Sequence, residues 1–259
     1  MPKRCASDAH APLGCHGEPA RWPSVKIAVI SDLHLGSEDG VDSFGHDDHT
    51  FLRFLSFLES EFERVVLLGD IWETLTPRFP FSPRRGLLDA RGRHLKIAER
   101  FARPKYTFIH GNHDLIAAEV DRAPERWSLD VDGKRLLFMH GHGYDRLLSM
   151  ARHVAELGVF IGGWIRRVGC HRLYHYLDQL DQRRSAVSLD AQRCTFQAWA
   201  MRVGAQARAD IVVTGHTHLA LSTRHGDRLF MNSGSCSRGR FTYLALDTRT
   251  DVYGVHQAW

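Results

Sequence analysis

Five short segments of this chain carry side chains suited to metal ions, and each follows an apolar run. Ile27–Ile30 leads to Ser31-Asp32-Leu33-His34, Val65–Leu68 to Gly69-Asp70, and Tyr106–Ile109 to His110-Gly111-Asn112-His113-Asp114. Leu136–Met139 leads to His140-Gly141-His142, and Ile211–Val213 to Thr214-Gly215-His216-Thr217-His218. Carboxylate, imidazole and amide donors without cysteine suit Mn, Fe or Zn and disfavour soft-metal or iron–sulfur sites. The Asp32-x-His34 and His216-x-His218 pairs are expected to share a side, because residues i and i+2 of an extended segment do. Two ions roughly 3.5–4 Å apart need a bridging ligand. A carboxylate with two oxygens does this, which puts Asp70 at the centre. Taken singly, each Asp or His is more often a cap or a hydrogen-bonded core residue; five strand ends aimed at one place favour a metal site.

The apolar runs read as buried strands, and in open α/β sheets chemistry gathers outside the carboxyl ends of strands. Between them, Asp48–Arg64 places Phe51, Phe54, Leu55, Leu58 and Phe62 at helical spacing, with Asp47 or Asp48 as cap. Residues 74–86 hold three prolines and three arginines and are expected as a long irregular loop beside the site, with a helix from Leu87 to Ala102. Asp132-Gly133 between Trp127–Val131 and Lys134–Met139 signals a type I′ hairpin. Late strands are expected at Leu229–Asn232 after Gly226-Asp227, at Phe241–Leu246 and at Val252–His256. Residues 144–209 lack a strand pattern and read as helices, about 145–157, 171–184 and 189–208, forming a cap inserted over the strand ends. Within them the apolar run Val159–Trp164, followed by Arg166-Arg167, is too short to span a bilayer. Residues 1–24 lack periodicity and read as a mobile leader.

The chain of 259 residues fits one large α/β domain, and 43% apolar with 25% charged residues is ordinary for a soluble protein. The absence of an apolar h-region at the N-terminus, together with five scattered cysteines lacking a C-x-x-C pair, points to reduced thiols and a cytoplasmic location. Net charge is +4, with the basic excess in Arg78–Arg103 and Arg146–Arg208. That skew suggests an anionic partner such as phosphate, nucleic acid or a membrane surface, against the plainer reading of solvated helix faces.

In this order, Asp32-x-His34, Gly69-Asp70, Gly111-Asn112-His113-Asp114, His140 and Gly215-His216-x-His218 resemble the calcineurin-like metallophosphoesterase superfamily. The resemblance implies an α/β fold, a two-sheet α/β/β/α sandwich, and a dinuclear centre of two divalent ions, Mn ahead of Fe or Zn. Asp32, His34 and His218 would hold one ion, Asn112, His140 and His216 the other, and Asp70 would bridge. It further implies that His113 protonates the leaving oxygen or steadies the transition state, with Asp114 orienting it. Asn232-Ser233-Gly234-Ser235 resembles the family's late Asn-x-Gly-Ser turn, a support under the site.

Within the superfamily, Ser31–Leu35, Gly69-Asp70-Ile71-Trp72-Glu73 and the basic segment after His140 are similar to the UDP-2,3-diacylglucosamine pyrophosphatase branch of lipid A synthesis. That branch commonly has Arg where this chain has His113, and Gly-Asp where it has Gly141-His142. The expected substrate is a phosphorylated small molecule or lipid contacted by Arg84, Arg85, Phe160, Trp164, Arg166 and Arg167, with peripheral contact at the inner membrane. A nuclease of the same superfamily is the alternative enzyme, and a non-catalytic scaffold the alternative from another class. A scaffold would show lost ligands, and none is lost. Glu73 is read as a helix-start or supporting carboxylate, and His142 as either substrate-facing or structural. His46, His49, His94, His153, His171, His175 and His225 read as surface or packing residues.

Overall fold

A computed structural model describes residues 21–22, 25–37, 43–76, 82–145 and 195–259. Phe160, Trp164, Arg166 and Arg167, the first two expected cap helices and most of the expected leader lie outside the described residues. The first sheet has strand order β11-β10-β2-β3-β4, comprising Val252–His256, Tyr243–Asp247, Lys26–Ile30, Arg64–Leu68 and Tyr106–Ile109. The second has order β1-β5-β6-β7-β9-β8, comprising Arg21–Trp22, Arg126–Val131, Lys134–Met139, Ile211–Thr214, Arg228–Asn232 and Leu221–His225. β2, β3 and β4 run parallel, as do β6, β7 and β9. Their carboxyl ends therefore emerge on one side of each sheet.

Strict alternation along the strands builds three apolar layers. Ile27, Val29, Val66 and Leu68 meet Leu136, Phe138, Ile211 and Val213 between the sheets. Ala28, Ile30, Val65 and Leu67 face the other way, onto Phe51, Phe54, Leu55 and Leu58 of α1 (Asp48–Glu61), Leu87 of α2 (Pro83–Arg93) and Ile97 of α3 (Leu95–Phe101). Leu137, Met139, Val212 and Phe230 pack on Phe196, Ala200 and Val203 of α5 (Thr195–Gln206). The fold is thus a two-sheet α/β/β/α sandwich.

Four local expectations are corrected. The helix expected from Leu87 begins at Pro83, so Arg84 and Arg85 lie exposed in the first turn of α2 (Pro83–Arg93) rather than in a loop. Proline's fixed φ suits that position, and the same residue that signals a loop can start a helix. The helix also breaks at His94, a fully buried ring 2.6 Å from Asp48, before α3 (Leu95–Phe101). β8 goes unread in the sequence because its Leu-Ser-Thr-Arg-His pattern is that of a polar edge strand. Arg21–Trp22, inside the expected leader, pairs in parallel with Asp130 and Val131 at the edge of the second sheet. The Asp132-Gly133 hairpin is as expected, with φ of 50° and 73°. α4 (Ile116–Val120) follows β4.

Phe138 is fully buried between the sheets and stacks on Trp127 with ring centroids 5.1 Å apart. Phe138→Ala should destabilise the protein by about 3–5 kcal/mol, whereas Leu88→Ala on the exposed face of α2 should cost under about 0.5 kcal/mol. Denaturant midpoints at unchanged slope check this.

Candidate metal centre

The loops that leave β2 and β3 run side by side, hydrogen-bonded beyond the strands. Asp32 N donates to Gly69 O at 3.1 Å, His34 N to Asp70 O at 3.0 Å, and Leu35 N to Ile71 O at 2.9 Å. The paired donors do reach one place, but by a different route from the expected extended segments. Asp32, His34, Asp70, His216 and His218 all have positive φ, between 52° and 70°. Such a conformation is costly for residues with a Cβ and gathers at functional sites. It turns each side chain inward where a pleat would have carried the backbone onward. Two glycines leave the room: a Cβ on Gly111 would lie 2.2 Å from Asp70 Oδ1, and one on Gly69, at φ +80°, 2.5 Å from the His140 ring.

Three clusters result, each with ligand-type atoms within 4.8 Å of one another: Asp32, His34 and His218; His34, Asp70 and His113; and Asp70, His140 and His216. His218 Nε2 lies 3.1 Å from Asp32 Oδ1, and His140 Nε2 lies 3.2 Å from Asp70 Oδ2. His140 Nδ1 sits 2.8 Å from Leu68 O, which fixes the hydrogen on Nδ1 and leaves Nε2 as a donor atom. Burial alone would raise the pKa of Asp70, yet His140 and His113 hold it well below the usual carboxylate range. Asp32 is lowered in the same way, against burial, by His218 and His140. His140 responds in kind: burial opposes its protonation, but Asp70 and Asp32 push it up to about 9.

The orienting partner of His113 is not Asp114, as expected, but Glu73. His113 Nδ1 lies 2.8 Å from Glu73 Oε2, and the same oxygen is 3.5 Å from His34 Nδ1. Glu73 is itself held by the Leu75 and Thr76 amides at 3.0 and 3.2 Å. Burial works against a charged His113, but Glu73 and Asp70 raise it to about 10. Asp114 instead accepts from four backbone amides: Gly111 at 2.6 Å, Ile71 at 2.8 Å, Trp72 at 3.2 Å and Asp70 at 3.3 Å. It fastens the β4 loop to the β3 loop. Burial, with Asp70 nearby, lifts its pKa to about 6.

Asn232 acts as expected of the late turn: its Nδ2 donates to Gly215 O at 2.7 Å and Thr214 Oγ1 at 2.9 Å, and its Oδ1 accepts from Gly234 N at 2.9 Å. Ser31 Oγ, 2.6 Å from Ser233 Oγ, also bonds Asp32 Oδ2. His142 lies beyond the clusters, with its ring 5.8 Å from that of His140, and burial and the neighbouring His140 press its pKa down to about 3.

Four buried atoms at the centre make no well-formed hydrogen bond among the described residues, Asp32 Oδ1, His34 Nε2, Asn112 Oδ1 and His140 Nε2, the first and last having only the close imidazole–carboxylate approaches given above. Unsatisfied buried polar atoms are few in native proteins and call for a ligand. Oxygen and imidazole nitrogen atoms on two neighbouring clusters fit divalent cations of the Mn, Fe or Zn type.

A sequence profile described as Calcineurin-like phosphoesterase matches residues 25–220, the stretch that carries every donor segment. The chain is similar to a protein of Serratia proteamaculans named UDP-2,3-diacylglucosamine hydrolase, 30% identical over 119 residues covering 43% of this chain and 46% of that one. A protein of the same name from Blochmanniella pennsylvanica is 27% identical over 157 residues, covering 53% and 57%. The chain spans about half the length of these curated relatives. Among solved structures, a phosphoesterase from E. coli is 18% identical, covers 90% of this chain and 100% of that one, and superposes with a TM-score of 0.41.

Glu73→Gln should bring the metal-free pKa of His113 from about 10 back toward 6.5, measured by NMR titration of the ring. Because the folded-state value lies above the unfolded one, the His113 contribution to stability is full below about pH 6.5 and is lost as pH rises through about 10. The stability gap between wild type and Glu73→Gln should therefore narrow over that range. A gap independent of pH would disprove the pairing.

Proposed function

Because this chain belongs to the calcineurin-like phosphoesterase family, we propose that it is a metal-dependent hydrolase of phosphoester or pyrophosphate bonds. Asp32, His34 and His218 would hold one divalent cation and Asn112, His140 and His216 a second, with Asp70 shared by both. Mn is preferred to Fe or Zn. The observation that carries this reading is the pair of buried donor clusters meeting at Asp70, where atoms of ligand type lie without hydrogen-bond partners. Divalent cations in such a site supply Lewis acidity toward phosphoryl oxygens and activate water.

The remaining work belongs to the chain's own residues. Asp70 Oδ1 accepts from His113 N at 2.8 Å, which keeps the β4 loop against the centre while Oδ2 faces His140. Glu73 holds His113 by Nδ1, so Nε2 carries the proton toward the leaving oxygen. Glu73 thereby supports His34 and His113 at once.

The substrate proposed is a nucleotide-sugar lipid such as UDP-2,3-diacylglucosamine, supported by the names of the similar proteins and by the motif resemblance. Arg84, Arg85, Arg166 and Arg167 are proposed to meet its phosphates, and Phe160 and Trp164 its acyl chains. The residues between Asp145 and Thr195, which lie outside the described residues, are proposed as the selecting cap. This is shorter than the expected 144–209, because α5 belongs to the sandwich. No described helix is long and apolar enough to cross a membrane. A diacylated substrate resides in a bilayer, so the reading includes a cytoplasmic enzyme with peripheral membrane contact. Metal analysis, followed by assays of the Mn-loaded protein on UDP-2,3-diacylglucosamine, nucleotide sugars, single-stranded DNA and a chromogenic diester, tests it. Activity on DNA alone would replace it with the nuclease reading.

Asp70→Asn should lose bound metal and all turnover, since an amide oxygen bridges two cations poorly; full metal content with near-normal rates would refute the bridging role. His113→Ala should keep its metal and lose on the order of 10²–10⁴ in rate on poor leaving groups, and much less on nitrophenolates. Equal losses on both would remove His113 as the acid.

A further inference from the structure

His113 is gripped by one stretch of chain, the residues that leave β3. Asp70 Oδ1 accepts from its backbone N–H at 2.8 Å, and Glu73 Oε2 lies 2.8 Å from its Nδ1. A further grip falls on its carbonyl. Thr74 N donates to His113 O at 3.2 Å, and the Thr74 hydroxyl donates to the same oxygen. Both directions are unambiguous, because a carbonyl oxygen only accepts, and its two lone pairs serve both donors. The N–H, the carbonyl and one ring nitrogen of His113 are thus all engaged from the β3 loop, while its ring stays partly exposed.

Thr74 can serve as a fixed point because what precedes it is fixed. Glu73 N donates to Leu35 O at 2.8 Å and Leu35 N to Ile71 O at 2.9 Å, which carries the β2–β3 pairing past the strands. The buried Trp72 ring has the Arg91 guanidinium of α2 over it at 5.4 Å, and Arg91 also pairs with Asp121, directly after α4. Thr74 itself is only 2% exposed, so water does not compete for its hydroxyl. Its β-branched side chain has restricted χ1 freedom, which keeps the hydroxyl aimed at the carbonyl.

We propose that Thr74 is a positioning residue for His113, its hydroxyl fixing the His113 carbonyl and with it the direction in which the ring is carried. The proposal rests on the reading of His113 as the acid of a phosphoester hydrolase. The Glu73 contact holds one ring nitrogen, whereas the Thr74 contact decides where the ring stands. A carbonyl held by the amide alone can still swing about that bond. Misplacing a reacting group by about 1 Å can cost on the order of 10²-fold in rate.

Thr74→Val keeps the shape and the amide and removes the hydroxyl, while Thr74→Ser keeps the hydroxyl. Both are assayed as Mn-loaded proteins on aryl phosphodiesters whose leaving groups run from nitrophenolate to unsubstituted phenolate. Thr74→Val should lower kcat about 10- to 100-fold on the phenolate ester and much less on the nitrophenolate ester. KM and bound Mn should not change, and Thr74→Ser should return the rate toward wild type. In a His113→Ala background, Thr74→Val should cost nothing more, because a residue that acts through His113 then has no route left. Equal losses on all esters, additive losses in the double variant, loss of Mn, or a Ser variant as slow as the Val variant would each overturn the proposal. Wild-type turnover is scored separately. No hydrolysis of any ester by the Mn-loaded wild type rejects the hydrolase reading, whereas wild-type turnover that Thr74→Val leaves unimpaired rejects Thr74 alone.

Discussion

Burying the carboxylates of Asp32 and Asp70 in one small volume, at 0% and 2% exposure, is the constraint to which the rest of the centre answers. Two anions so placed need positive charge nearby, because desolvation in a low-dielectric interior is severe. Without metal the imidazoles provide it: the shifts at His140 and His113 are the carboxylates' demand for charge, written into their neighbours. As a ligand in the proposed centre, His140 would bind as the neutral ring, and a cation would displace its proton. Affinity for the cation should therefore be linked to pH through the same side chains that hold it.

The backbone carries the other half of the cost. Positive φ at Asp32, His34, Asp70, His216 and His218 persists because hydrogen bonds from several directions leave the loops no alternative. Asp114 takes four amides of the β3 and β4 loops, and Asn232 takes the β7 loop. Neither side chain is among the proposed ligands, yet both fix the loops that carry them. The strain is placed where sheets that share a core can bear it, at the ends of β2, β3 and β7.

What could be read from the sequence follows from what is local. Most strands and the donors at their ends were legible, because apolar runs with Gly-bounded polar stops are signals within a few residues. Geometry that depends on an unusual φ was not: the i, i+2 argument gave the right convergence for the wrong reason. The Glu73–His113 pair was missed in its particulars because it spans 40 residues and arises only once two strained loops are zipped together. Asp114, adjacent to His113 in sequence, looked the better partner, but a carboxylate surrounded by four free amides is used there first. The stripe of Phe196, Ala200 and Val203 was legible as a helix; its partner, the outer face of the second sheet, was not.

That partner has a consequence for how the protein divides its duties. Among the described residues, the turn after His140 and the start of α5 lie side by side, the Tyr144 hydroxyl bonding Thr195 Oγ1. His142 lies two residues past His140, in the turn His142–Asp145. A segment whose ends meet can be lengthened or replaced with a small entropic penalty and no displacement of the strands.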